Sequence, residues 1–126
     1  MITKIELDRD DARYRPGETV VGAVEWSFPE GPNGAALCLR WRAEGKGTPD
    51  AGAPIAVQFE DPRATDRRAF RVTLPIMPYS FSGKVLSIVW RVELMVRHQR
   101  YGREAIEVFR VITMSPTGDP IDPYRP

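Results

Sequence analysis

The stretch LPIMPYSFSGKVLSIVW, Leu74 to Trp90, places two prolines, an aromatic-Ser-aromatic triplet and a glycine directly before the longest alternating apolar run of the chain. Proline ends a strand because it lacks the backbone N–H that a sheet ladder needs, and glycine lets the backbone turn tightly. We therefore predict a corner between two strands. Tyr79 and Phe81 lie on the same side of this segment, so we expect both to plug the end of a hydrophobic core.

Alternation of apolar and polar side chains, which is typical of half-buried strands, continues on both sides of this corner. In the second predicted strand, Val20, Val24 and Trp26 share one side. Gly22 falls on that same side, where it indicates a bulge or a close backbone approach. The predicted strands cover 2–8, 18–28, 35–42, 55–60, 70–74, 85–98 and 104–114.

The last two predicted strands carry signs of irregularity. The strand over 85–98 would extend over roughly 46 Å if it were straight, so we expect a bend or a bulge within it. In the strand over 104–114, Ile106 and Val108 alternate against Phe109 and Val111, which leaves apolar side chains on both faces. That pattern predicts either partial cover on both sides or a bulge that switches the faces.

These features predict an all-β fold, an immunoglobulin-like two-sheet antiparallel β-sandwich of about seven strands. A chain of 126 residues is long enough for one core, and we expect one domain over 1–114. The proline-rich tail over 115–126 is predicted to be irregular. Trp26, Trp41 and Trp90 fall on the apolar parity of their strands and are expected to be core residues.

Two motifs together resemble the arrestin-like superfamily. The first is Y-x-P-G-E-x-V-x-G-x-V over 14–24, which is similar to the opening hairpin of that superfamily. The second is F-x-V-x-L-P over 70–75, followed by P-Y-S-F-x-G over 78–83 and I-x-W-x-V over 88–92. The resemblance implies an arrestin-like sandwich. Relatives of this kind, including bacterial ones of the sporulation-control type, usually join two such sandwiches end to end, whereas this chain has room for one.

Composition excludes several classes of function. The formal net charge is +1, so no strong field favours nucleic acid. A single cysteine, Cys38, rules out an internal disulfide framework, and the absence of an N-terminal leader pattern predicts a cytoplasmic protein. No apolar run approaches the roughly 20 residues of a transmembrane helix, which leaves peripheral contact as the remaining mode of membrane association.

The sequence also lacks a recognisable catalytic or metal-binding set, and we predict neither an enzyme nor a cofactor. His98 is the single histidine, and a nucleophilic pair with Cys38 is the weakest of the hypotheses, because the cysteine lies mid-strand. Asp8, Asp10 and Asp11 could join another loop to hold calcium, although charged loop residues in contact with water are the commoner case.

The leading functional hypothesis is a non-catalytic protein-interaction or assembly module. Its partner would bind a sheet edge through backbone pairing, or a semi-apolar sheet face. Val85, Ser87 and Val89 lie opposite the core side of the long strand and are the candidate interaction residues, unless another strand or the tail covers them. A homodimer, in which a second copy supplies the missing lobe, is a specific expectation. The alternative is a carbohydrate- or small-ligand-binding module, which an exposed row of aromatic residues would favour.

Overall fold

The computed structural model describes residues 2–45, 50–52, 54–82, 86–99 and 102–117, and within these ranges the chain forms ten strands and no helix. Seven strands are long and three contain two residues each, which agrees with the prediction of about seven strands. The strands are β1 (Ile2–Leu7), β2 (Arg13–Tyr14), β3 (Thr19–Ser27), β4 (Gly34–Gly45), β5 (Asp50–Ala51), β6 (Ile55–Phe59), β7 (Thr65–Thr73), β8 (Phe81–Ser82), β9 (Leu86–Arg97) and β10 (Glu104–Met114).

Two sheets pack face to face and confirm the sandwich. The small sheet has the order β1-β3-β7, and the large sheet has the order β2-β10-β9-β4-β5, with β6 also paired to β4 and β8 to β9. All pairings are antiparallel except the short one between β2 and β10. β1 lies beside β10 and β6 lies beside β7, so the two sheets approach each other along both sides of the sandwich.

The core lies between the sheets and contains the predicted apolar faces. Trp26 and Trp90 are buried there, whereas Trp41 is half-buried and packs against the core from its margin. Each buried indole N–H donates to a backbone carbonyl: Trp26 Nε1 to Arg63 O at 2.6 Å and Trp90 Nε1 to Pro78 O at 2.7 Å. Burial of a polar N–H is tolerated because the hydrogen bond replaces the one to water.

Gly22 marks a close approach and not a bulge, because the register of β3 runs unbroken past it on both sides. A Cβ atom at this position would lie 2.1 Å from the backbone oxygen of Glu6 and 2.8 Å from Cζ of Phe70. The ring of Phe70, which pairs with Gly22 across β3 and β7, occupies the space that a side chain would need. A glycine is therefore required where the apolar alternation of β3 would otherwise place a larger residue.

The corner between β7 and β9 exists as predicted, but the prediction that Tyr79 plugs the core is wrong. Tyr79 is 39% exposed, Phe81 is half-buried and Ser80 between them is buried. The backbone N–H of Ser80 donates to Met114 O at 2.7 Å, and its Oγ accepts from Met114 N at 2.9 Å. These bonds hold Ser80 inward. Phe81 pairs with Ile88, which lies on the core side of β9, so Phe81 faces the core side and is half-buried, whereas Tyr79 is exposed.

β10 contains the bulge that its two-sided apolar pattern indicated. Ile106 pairs with Met95, and Val108 pairs with Leu94, so Glu107 is an extra residue between them. The extra residue reverses the faces of β10: Val108 packs against the core, whereas Phe109 is exposed. No bulge interrupts the pairing of β9 with β4, where a bend or bulge was expected.

Candidate interaction surface

The solvent side of β4, β9 and β10, which we call the outer face, is the most unusual surface of the described chain. The register of the three strands arranges its central side chains in three rows. From β4 through β9 to β10, the rows are Ala36-Met95-Ile106, Cys38-Glu93-Phe109 and Arg40-Arg91-Val111.

Large apolar side chains stand exposed along the β10 side of this face. Ile106, Phe109 and Val111 are 39%, 47% and 51% exposed. All three point away from the core because of the bulge at Glu107 and the alternation that follows it. A contiguous exposed apolar strip is uncommon on a monomeric soluble domain and marks a candidate contact surface.

Glu93 lies in the middle of the outer face and is nevertheless fully buried. Its Oε2 accepts hydrogen bonds from Arg91, through Nη2 and, at 3.2 Å, through Nε. Its Oε1 lies 2.6 Å from Nε of Arg40, within ion-pair distance, but no described donor is aligned with Oε1 for a hydrogen bond. Burial of a carboxylate is costly without paired cations, so the two arginines are necessary for Glu93 to occupy this place.

Arg91 also joins the ion cluster to the apolar strip. Its guanidinium lies over the ring of Phe109, with Cζ 4.0 Å from the ring centroid, which is a cation–π contact. The side chain of Arg91 is 13% exposed and that of Arg40 is 31% exposed. Arg40 is therefore the more accessible cation of the cluster formed by Arg40, Arg91 and Glu93.

The predicted interaction residues fall at one end of this same face. Ser87 and Val89 are both half-buried, and β4 pairs with them through Glu44 and Arg42. β8 also pairs with Ser87, through Ser82, so strands flank this position on both sides. Val85 lies outside the described residues. Sequence reasoning placed Ser87 and Val89 on the side of β9 that faces away from the core, but it did not include Phe109 and Val111, although the two-sided apolar pattern of β10 was the available signal.

The outer face of the small sheet has the opposite character. Its side chains form a cross-strand ion network in which Glu6 contacts Lys4 and Arg67, each at 2.8 Å, and Arg67 also contacts Glu25. Hydrogen bonds from Lys4 and Arg67 lower the pKa of Glu6 to about 2. The network contains two cations and two anions, so the charges of this group balance.

The free edge of the small sheet is also protected. On β7, Asp66 and Arg68 take positions in register with the buried Trp26 and Val24, and they form an ion pair at 3.0 Å. Burial opposes ionisation of Asp66, but hydrogen bonds from Arg68 and from the backbone N–H groups of Arg63 and Arg67 keep its pKa below the ordinary value. Charged residues at inward positions of an edge strand disfavour the addition of another strand.

Among the described residues, neither a Cys38–His98 nucleophilic pair nor a metal-binding set is assembled. Cys38 pairs with Glu93 across β4 and β9. Glu93 is five positions before His98, so roughly 16 Å of extended strand separates Cys38 from His98. Burial and the charge of Glu93 raise the pKa of the Cys38 thiol. His98 Nε2 lies 2.5 Å from Glu107 Oε1, and its ring packs edge-on against Phe28. In the described ranges, three or more potential metal ligands do not come together anywhere, and no helix is long and apolar enough to cross a bilayer.

The two packed sheets and their connections give this chain the fold of an arrestin-like β-sandwich, the fold that the resemblance implied. Thirty-one solved chains resemble it. One of them is the crystal structure of Spo0M, a sporulation control protein from Bacillus subtilis, with a TM-score of 0.63 and 20% sequence identity. The match covers 90% of this chain and 48% of the Spo0M chain, so this chain spans about half the length of that protein. Likeness at this identity shows the fold alone. No protein-family model and no curated protein sequence matches the chain.

Proposed function

We propose that this chain is a non-catalytic protein-interaction or assembly module, and that its partner binds the outer face of the large sheet. The observation that carries the proposal is the exposed strip of Ile106, Phe109 and Val111 beside a buried ion cluster. Removal of apolar surface from water by a partner favours binding by roughly 25 cal/mol per Å². The outer face of the small sheet, with its balanced ion network, offers no comparable gain.

A sheet face is a better candidate here than a sheet edge. The inward ion pair of Asp66 and Arg68 disfavours strand addition at β7. On the other side of the sandwich, β1 and β10 lie beside each other, which restricts the approach of a further strand to either of them. We therefore assign partner binding to side-chain contacts on the outer face.

A photo-crosslinking amino acid at Val111 tests this proposal, with the same amino acid at Ala69 as the matched control. Both positions are exposed strand residues, Val111 on the outer face and Ala69 on the small sheet. In extracts of the source organism, we expect Val111 to give a discrete crosslinked protein, and we expect a second substitution, Phe109→Asp, to abolish it. Equal crosslinking from both positions, or a product that survives Phe109→Asp, would contradict the assignment.

A homodimer is the second part of the proposal, because this chain corresponds to about half of the Spo0M chain. The corner at the end of the sandwich offers a surface for end-to-end contact between copies, since Ile76 and Met77 are each 69% exposed and Tyr79 is 39% exposed. Light scattering across dilutions into the micromolar range should give twice the chain mass, and Met77→Asp should reduce it to that of one chain. A strictly monomeric mass at every concentration would contradict the dimer.

The proposal also covers the cellular compartment and the ligand-binding alternative. A single buried cysteine is consistent with a reducing compartment, and we propose the cytoplasm. The carbohydrate- or small-ligand-binding alternative loses two of its aromatic candidates, because Trp26 and Trp90 are buried with their N–H groups bonded to backbone carbonyls.

A further inference from the structure

The charges on the outer face do not balance at its centre. Among the side chains whose register places them on this face, Arg97 pairs with Glu104 at 3.2 Å at one end. At the other end, the register places Arg42 and Glu44 of β4 and Arg13 of β2 on this face. The centre contains two guanidinium groups, those of Arg40 and Arg91, against the single carboxylate of Glu93. The centre of the face therefore has a formal surplus of one positive charge.

Of the two arginines, Arg40 is the one better able to pair with an acidic group of a partner. Arg91 is committed to Glu93 by two hydrogen bonds and to Phe109 by its cation–π contact, and it is 13% exposed. Arg40 approaches Glu93 through Nε, without an aligned hydrogen bond, and its side chain is 31% exposed. Its guanidinium has five N–H donors in a planar fork, which suits a second acceptor with two oxygens.

We propose that the outer face selects protein segments that carry a carboxylate together with apolar side chains. The carboxylate would pair with Arg40, and the apolar side chains would cover Phe109 and Val111. This inference rests on the proposed function, since it names the chemistry of the partner that binds the same face. Apolar cover would exclude water from the ion pair and so strengthen it.

A carboxylate fits this centre better than a phosphate group does. A phosphoserine or phosphothreonine carries about −1.5 to −2 charges at neutral pH. Such a charge would exceed the surplus of one and would place a net negative charge beside the buried Glu93. One carboxylate neutralises the centre without this repulsion.

An extended segment has the spacing that this surface needs. Side chains two residues apart on a strand point to the same side and lie about 7 Å apart. Phe109 and Val111 are spaced in this way along β10, in the rows that contain Glu93 and Arg91. A segment with two apolar side chains two positions apart matches the interval between Phe109 and Val111, and its carboxylate has to reach sideways to Arg40, which lies in the row of Val111 two strands away.

Selection from a displayed library of random twelve-residue peptides tests the inference. We expect the enriched peptides to contain Asp or Glu together with two apolar residues two positions apart, and to lose about tenfold in affinity when that acid is changed to its amide. The substitution Arg40→Gln should weaken these peptides by about tenfold, whereas Arg71→Gln should change affinity by less than about twofold. Arg71 is an exposed residue of β7 on the other sheet, so the two variants are matched in net charge.

A further variant, Arg40→Lys, separates recognition from folding, because it keeps the charge beside Glu93 and should retain part of the affinity. Enriched peptides without an acidic preference, a preference for phosphoserine over glutamate, or equal effects of Arg40→Gln and Arg71→Gln would each overturn the inference. If peptides without an acidic preference still lose binding upon Phe109→Ser, the inference fails and the proposed function stands. If binding is insensitive to Phe109→Ser, both fail. Self-association that Phe109→Ser abolishes would make the outer face a contact between copies and would also overturn the inference.

Discussion

Replacement of Gly22 by alanine adds one methyl group where the backbone of the neighbouring strand β1 leaves no room for it. The new Cβ would lie 2.1 Å from Glu6 O and 2.8 Å from Cζ of Phe70. Carbon atoms in ordinary contact are about 3.5–4.0 Å apart, so the backbone of β1 has to retreat by more than ~1 Å. The ring of Phe70, which is buried, has to move as well.

The expected cost combines two effects. Overpacking of a core by a methyl group costs roughly 1–3 kcal/mol. A shift of β1 also weakens its backbone hydrogen bonds to β3, each of which contributes about 1 kcal/mol. We therefore expect Gly22→Ala to lower the free energy of unfolding by about 3 kcal/mol, a large part of the ~5–15 kcal/mol that a domain of this size has.

Urea unfolding measures this change directly. With a slope of about 1.5 kcal/mol per M, a loss of ~3 kcal/mol lowers the unfolding midpoint by about 2 M. Gly34→Ala is the matched control, because its Cβ would meet one atom within contact range, the Cβ of Arg97 at 3.9 Å. We expect Gly34→Ala to be neutral or to stabilise by up to ~1 kcal/mol. A midpoint for Gly22→Ala within about 0.3 M of the unsubstituted chain would refute the close-approach argument.

Three further predictions concern the ionisable groups. Glu93→Gln should lower the free energy of unfolding, measured by urea titration, by about 2–3 kcal/mol. This is less than the loss on breaking a fully enclosed ion pair, because Arg40 can turn towards water. A change below ~0.5 kcal/mol would contradict the role of the cluster. The pKa values of Glu6 and Glu18 are both lowered to about 2 by hydrogen bonds, from Lys4 and Arg67 to Glu6 and from Arg9 and the Arg15 backbone to Glu18. Their stabilisation is therefore present above the ordinary value of 4.5 and is lost as the pH falls towards 2; NMR titration of the carboxyl carbons with midpoints near 4.5 would disprove it. Burial and the charge of Glu93 raise the pKa of the Cys38 thiol. At neutral pH, a maleimide should therefore react at least about tenfold more slowly with the folded chain than with the urea-unfolded chain. Equal rates would show that the thiol is accessible and reactive in the folded chain.

The parts of the fold that follow from periodicity were predictable from the sequence. Val20, Val24 and Trp26 alternate along β3 and are all buried, and the apolar side of β9 is likewise in the core. Gly22 was identified because it interrupts an apolar face, and a missing side chain in such a face has few physical explanations. Burial of one strand face is a local pattern, so it is visible in a single sequence.

Features that depend on partners across strands were not predictable. β7 begins at Thr65, five residues before the predicted strand over 70–74, and Arg67 in this earlier part contacts Glu25 on β3 and Glu6 on β1. The alternation of the long strand places Glu93 on its solvent-facing side. Its burial depends on Arg40 of β4, Arg91 of β9 and the ring of Phe109 of β10, which strand pairing brings together. The inward turn of Ser80 likewise depends on Met114, which is distant in sequence.

The end of β10 has a practical consequence for shortening the chain. Ser80 bonds to Met114 through both its backbone and its hydroxyl group, and Ser115, itself fully buried, donates its N–H to Tyr14 O at 3.1 Å. A cut before Met114 would remove both bonds to Ser80 and the bond from Ser115 to Tyr14, although Thr113 N would still donate to Ala12 O, whereas a cut after Ser115 would leave all of these bonds intact. A shortened chain or a fusion to a reporter should therefore keep Ser115, one residue past the end of the last strand.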